Sequence, residues 1–408
     1  MNDLHNYSTD SAVYNEVLSL LRSSVWGEER FPYSRAEGVD IKEVNAELKH
    51  HTVQYLPIDI LAREYPEYSD RYITADAKKL MRFDRIMSEQ MALCGMLRDN
   101  GIPCAVVKGA AVAEQYLRPQ SRALGDIDLL VSPEDFDLAC RLIGDGAEYL
   151  DENYRHKEYR RNGTIVEVHR GFCGIRNDEI KALFDGRLFA ALDKAEAVTV
   201  DNYTFYRLPV VEHGLTLIEH IDIHLEGGLG LRQIVDWMVF TDLALTDRVW
   251  ETDFSPFLRK IGLEKLAITV TRMCQMYLGL RDDISWCAEA DEALCEELMN
   301  YILRQGNFGR KNESGANRAT AVISSSKNVF SLFRVLQSLG CENWEALERL
   351  PFLKPFAWAH QILRYVRLGL KTEHPTQFLK DAITRSRAQD GFFEALSVLT
   401  ISQRGKKK

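Results

Sequence analysis

Gly125-Asp126-Ile127-Asp128-Leu129-Leu130-Val131 places two carboxylates two residues apart inside an apolar run. Successive side chains of a strand point to opposite faces. Asp126 and Asp128 therefore share one face, and Ile127, Leu129 and Val131 the other. Neighbouring anions repel, and burying them is costly unless a cation compensates. A divalent metal is the usual compensation, and hard carboxylate oxygens suit Mg²⁺. The run reads as a metal-holding strand; its apolar flanks argue against a solvated turn.

Further candidates lie on either side of it. Lys108-Gly109-Ala110 sits where a short apolar run, Pro103 to Val107, turns into a helical stretch. A glycine there lets backbone approach a phosphate, and a helix N-terminus offers free N–H donors. Lys108 adds a positive charge, although a glycine at such a place also serves as a plain turn residue. Glu167, in Ile165-Val166-Glu167-Val168-His169, is another carboxylate in an apolar strand. Alone it is a surface residue or a ligand. With two acids already present, a third is what a two-metal phosphoryl-transfer site requires. Arg122 precedes the acidic strand and either reaches a phosphate or pairs with an acid. His169 shares the face of Glu167 and either pairs with it or simply ends the strand.

His220 and His224 are four residues apart on one helix face, and Arg232 and Asp236 repeat that spacing. They read as the polar lining of an acceptor cleft, or as solvent-facing residues with a surface i,i+4 ion pair. No Glu follows His220, so the two histidines lack the HExxH zinc signature.

These residues need a scaffold, and hydrophobic periodicity supplies its outline. Helical spacing recurs through residues 1–100, in Val13, Val17, Leu20 and Leu21 and again from Leu80 to Leu97, ending at Asn100-Gly101. Residues 101–211 alternate short strands and helices. Strands are expected at 103–107, 126–131, 149–159 and 164–169, and Ser132-Pro133-Glu134-Asp135 opens a helix. Asn162-Gly163 is a hairpin signal between the last two strands. Residues 212–408 read as helical again, with stretches at 258–280, 290–304, 328–339 and 353–370 and loops at Gly306–Gly309 and Ser324–Ser326. The expected fold class is α/β (α+β), a small mixed-sheet core between large helical regions.

Composition narrows the function. The chain has 408 residues, 46% hydrophobic and 27% charged, as ordinary globular proteins do. A net charge of −9 disfavours long nucleic acid as a partner. The one compact basic run, Arg404 to Lys408, reads as a frayed end. No apolar stretch approaches the roughly 20 residues a membrane span needs, and Met1–His5 is too polar for a signal peptide. Eight scattered cysteines without a CxxC pair read as reduced thiols, so a cytoplasmic location is expected.

Lys108-Gly109, Arg122-x-x-Gly125-Asp126-Ile127-Asp128 and Glu167-Val168-His169 together resemble the DNA polymerase beta-like nucleotidyltransferase superfamily. Within it the chain is similar to the bacterial group described only as uncharacterised nucleotidyltransferases, a likeness extending to Leu231-Arg232, Asp236, His220 and His224. The resemblance implies transfer of a nucleoside monophosphate from an NTP to an unidentified small-molecule or protein acceptor, with release of pyrophosphate. It implies two Mg²⁺ ions, or Mn²⁺, held by Asp126, Asp128 and Glu167, with Lys108, Gly109, Ala110 and Arg122 at the phosphates and His220, His224, Arg232 and Asp236 at the acceptor. Ala110 departs from the pattern, which has Gly or Ser there. Two alternatives stay open: a non-catalytic nucleotide-binding or interaction scaffold of the same fold, and another phosphotransferase.

Overall fold

A computed structural model describes residues 11–307 apart from 154, 176 and 226, together with 350–369, 392–396 and single positions between 333 and 344. The basic tail, Met1–His5, Ser324–Ser326 and most of the helix expected at 328–339 lie outside the described residues.

The centre is a seven-stranded mixed sheet. Its strands are β1 (Cys104–Val107), β2 (Ile127–Val131), β3 (Glu148–Glu152), β4 (His156–Arg161), β5 (Thr164–His169), β6 (Glu196–Val200) and β7 (Tyr203–Arg207). They lie in the order β3-β4-β5-β2-β1-β7-β6. β2 runs antiparallel to β1 and parallel to β5, with Asp128 directly beside Glu167. The hairpin expected at Asn162-Gly163 is present; both residues have positive φ, 48° and 72°, as a tight turn between β4 and β5 demands.

Two features differ from the sequence expectation. The strand expected from Tyr149 to Tyr159 is two antiparallel strands, β3 and β4. The β6–β7 hairpin was not expected at all. Its signals are faint: Val198, Val200, Phe205 and Arg207 are buried on alternating positions, and the turn rests on Asp201 with φ 52° rather than on a glycine.

The sheet's two faces have different fates. Cys104, Val106, Ile127, Leu129, Val131, Val166 and Val168 pack beneath α4 (Ser69–Asp99) and α6 (Phe136–Gly144) in one apolar core. The opposite face carries Asp128, Glu167 and His169 and looks toward a second, larger core. That core draws on α1 (Ala12–Trp26), α2 (Ile41–His50) and α3 (Ile58–Glu64) as well as α8 (Val210–Leu225), α9 (Leu231–Ala244) and the helices Glu264–Leu278 and Glu292–Gln305. The two outer thirds of the sequence thus share one helical body. Trp26 Nε1 donates to the Leu278 carbonyl at 2.7 Å, and Arg22 to that of Tyr277 at 3.0 Å. The remaining helices needed here are α5 (Gly109–Ala113) and α7 (Asp178–Ala190).

Candidate active site

The turn from β1 into α5 is backbone of an unusual kind. Lys108 has φ 58° and ψ −145°, a conformation that glycine adopts freely and other residues rarely do, and Gly109 follows at φ 35°. A non-glycine residue held there costs on the order of 1–3 kcal/mol. The twist turns the lysine back over β2, where its Nζ lies 2.8 Å from Asp128 Oδ1 and 5.2 Å from the Phe172 ring centre.

Asp128 is buried and shared. His169 Nε2 lies 3.0 Å from its Oδ1 and 3.2 Å from Glu167 Oε2, so one imidazole bridges the two carboxylates of β2 and β5. Across the next strand pair, His156 Nδ1 lies 3.6 Å from Glu167 Oε2, and Asn153 holds the other ring nitrogen at 3.0 Å. The two histidine rings meet edge to face at 4.9 Å. Asp126 stands just before β2 and is exposed.

Charge follows from this geometry. Burial opposes ionisation of Asp128, but the Lys108 ammonium and the His169 hydrogen bond overcome it and hold the carboxyl well below the usual range. Glu167 is lowered likewise, His169 outweighing burial. Asp126 moves the other way, raised chiefly by the charge of Asp128. His169 is raised because its two carboxylate bonds exceed the effect of burial, while burial pushes His156 down to about 4. The acidic pair thus faces a lysine and a histidine of the chain itself, and His169 takes the first of its two expected roles, pairing with Glu167.

The helical wall contributes the rest. Arg122, expected either at a phosphate or in an ion pair, lies against Asp236 of α9: its Nη2 is 2.6 Å from Oδ2 and its Nε 3.1 Å from Oδ1, both side chains buried. Tyr116 donates its hydroxyl to the same carboxylate at 2.6 Å. Asp236 is therefore engaged away from Arg232, its i−4 neighbour. Arg232 makes no hydrogen bond or ion pair with any described residue, and its Nε is shielded from solvent. Burial, then the charge of Arg122, lower it to about 10. His220 and His224 meet edge to face at 4.4 Å, and burial followed by the charges of His224, Lys108, Arg232 and Arg122 keeps His220 neutral. Glu219, fully buried on α8, accepts from the Gly174 N–H at 2.6 Å and is raised by burial to about 7.

Asp128 and Glu167 stand side by side on adjacent central strands, and carboxylate oxygens are the ligands hard divalent cations take. The group among the described residues whose ligand-capable atoms lie within 4.8 Å of one another is His156, Glu167 and His169, a mixed nitrogen and oxygen set. The sequence reading passed over His156. Its only signal is its place opposite His169 across the β4–β5 ladder, which requires knowing the register.

A family model matches residues 40–279, a span running from α2 to the helix that ends at Leu278 and including every residue named above. The chain belongs to the family described as uncharacterised nucleotidyltransferase. No curated protein matches it. Family membership makes the chain a nucleotidyltransferase by kinship, with an NTP as the implied substrate. The mixed α/β sheet with its many helices agrees with an α+β nucleotidyltransferase fold. No described helix is long and apolar enough to cross a membrane.

Proposed function

We propose that the protein transfers a nucleoside monophosphate from an NTP to a small-molecule or protein acceptor, releasing pyrophosphate, and that it requires a divalent cation, Mg²⁺ or Mn²⁺. The observation that carries the reading is the pairing of Asp128 with Glu167 across adjacent parallel strands, with Lys108 folded onto them by its strained backbone.

Asp126, Asp128 and Glu167 would hold the cations, which when bound neutralise the triphosphate and lower the pKa of the attacking group. Lys108 and the α5 N-terminus bind phosphate oxygens. Lys108 exchanges its contact with Asp128 for one with the nucleotide, so its ammonium stays compensated in both states. His169 keeps Asp128 and Glu167 ionised and fixed relative to each other. The Arg122–Asp236–Tyr116 group ties the loop before β2 to α9 and sets the distance between the sheet and the acceptor side around His220 and His224. Phosphoryl transfer asks mainly for positioning and charge neutralisation, which this arrangement supplies.

Asp128→Asn tests the reading. It should abolish cation-dependent NTP turnover while the circular dichroism spectrum stays native; a variant with full activity would overturn the assignment of β2. Mass spectrometry after incubation with each NTP and a cell extract would identify nucleotide and acceptor. A specific observation favours a second reading, a nucleotide-binding scaffold without catalysis: Asp128 already has Lys108 and His169 of the chain itself as close partners. Mg²⁺ and NTP titrated calorimetrically into a scaffold would give binding heat with no pyrophosphate formed.

A further inference from the structure

Among the described residues around the site, one cation makes no hydrogen bond or ion pair. Lys108 faces Asp128, and Arg122 faces Asp236. Arg232 lies one helical turn before Asp236 in the first turn of α9, yet the carboxylate is turned to Arg122 and the Tyr116 hydroxyl. The Arg232 guanidinium is only partly exposed and its Nε is sealed from water without an acceptor among the described residues; Arg122 repels it, while Asp236 and Asp126 attract it without bonding to it. The end of α9 that holds it carries the positive pole of the helix, and its N-cap Gly230 offers no side-chain oxygen. His220, on the neighbouring helix, feels Lys108, Arg232 and Arg122 together as charges that oppose its own. A partly buried arginine without a hydrogen-bonded carboxylate is destabilising, commonly by several kcal/mol when desolvation is complete. A fold that keeps one beside an acidic strand is built for an anion that arrives from outside.

We propose that Arg232 is the seat of a substrate phosphate group, taking two of its oxygens through its planar fork. The existence of the anion seat stands on the missing bonded partner among the described residues; the identity of the anion as a substrate phosphate rests on the nucleotidyltransferase reading. Two sources share this chemistry, the pyrophosphoryl part of the NTP and a phosphate borne by the acceptor. Arg122, the arginine that sequence proximity to β2 favours, is a positioning residue that holds Asp236 away and so leaves Arg232 free.

The proposal makes an unusual demand: removing Arg232 should stabilise the protein without ligand and weaken it as a binder. Thermal unfolding of the full chain would be followed for wild type, Arg232→Gln and Arg232→Lys. Each would be run alone, with magnesium pyrophosphate and with inorganic phosphate, at matched ionic strength. Without anion, Arg232→Gln should melt about 2 °C or more above wild type. Its dissociation constant for the anion, measured by calorimetry, should rise about tenfold or more, with Arg232→Lys between the two. Dependence confined to pyrophosphate assigns the nucleotide as the source; dependence confined to phosphate assigns the acceptor. A lower melting temperature for Arg232→Gln without ligand, or unchanged affinity for both anions, overturns the proposal. Overturned in that way beside a wild type that still releases pyrophosphate from an NTP, it leaves the proposed function standing. Intact anion dependence without NTP turnover does the reverse.

Discussion

The sheet side and the helix side of the site carry opposite charge and treat it differently. On the sheet, buried Asp128 and half-buried Glu167 lie against partners of the chain itself, Lys108 and His169. On the helices, one arginine is paired with Asp236 and another, Arg232, makes no ion pair among the described residues. The difference separates two ways of preparing a site. Acids that must release a lysine to accept a cation exchange one partner for another at small net cost. A cation kept without a partner is held at a cost in stability that ligand binding relieves.

Substitutions can break or sharpen that contrast. The largest effect on activity is expected from Asp128→Asn, on the order of 100-fold or more in NTP turnover, because the charge proposed to hold the cation is lost. The largest effect on stability belongs to Asp236→Ala. It strands Arg122 beside Arg232 and should cost about 3–5 kcal/mol in denaturant unfolding, turning the helix side into two unmatched cations. Added sulfate or pyrophosphate should recover part of that loss; a cost below about 1 kcal/mol would show that the buried pair is dispensable.

Glu219 supplies a pH dependence. Its folded-state pKa of about 7 exceeds the unfolded value of about 4.5. Stability from this group is therefore full below pH 4.5 and is lost as pH rises toward and through 7. The total is roughly 3 kcal/mol at most. Glu219→Gln should flatten the unfolding free energy between pH 5 and 8; an unchanged slope there would exclude Glu219 as its source. The smallest expected effect is that of Gly109→Ala, about 1 kcal/mol of backbone strain at φ 35°, with no steric clash because the nearest atom, the Asp126 carbonyl oxygen, stands 3.9 Å away. A melting temperature equal to wild type would show that the turn accepts a side chain.

What the sequence revealed was local, and what it concealed lay across the chain. β1, β2 and β5 were readable because runs such as Ile127–Val131 combine apolar content with breakers on both sides, and the shared face of Asp126 and Asp128 follows from strand geometry alone. β6 and β7 escaped because their turn uses Asp201 and Asn202, without the glycine or proline that marks most hairpins. Arg122 admitted two readings because its partner lies 114 residues away on α9. The i,i+4 spacing of Arg232 and Asp236 suggested a pair that Arg122 and Tyr116 pre-empt. Spacing shows which residues are able to meet; competition from distant residues decides which do.

The link between α1 and the helix Glu264–Leu278 has a consequence during synthesis. Trp26 and Arg22 bond to Leu278 and Tyr277 across sequence separations of 252 and 255 residues. As the chain leaves the ribosome, α2 is at hand early, but the part of α1 that rests on the helix Glu264–Leu278 stays uncovered until more than 250 further residues have been made. At the usual pace of translation, about 5–20 residues per second, that exposure lasts on the order of ten seconds or more. Nascent chains of this protein are accordingly expected to lean on chaperones for that interval, and fragments ending before residue 278 to aggregate.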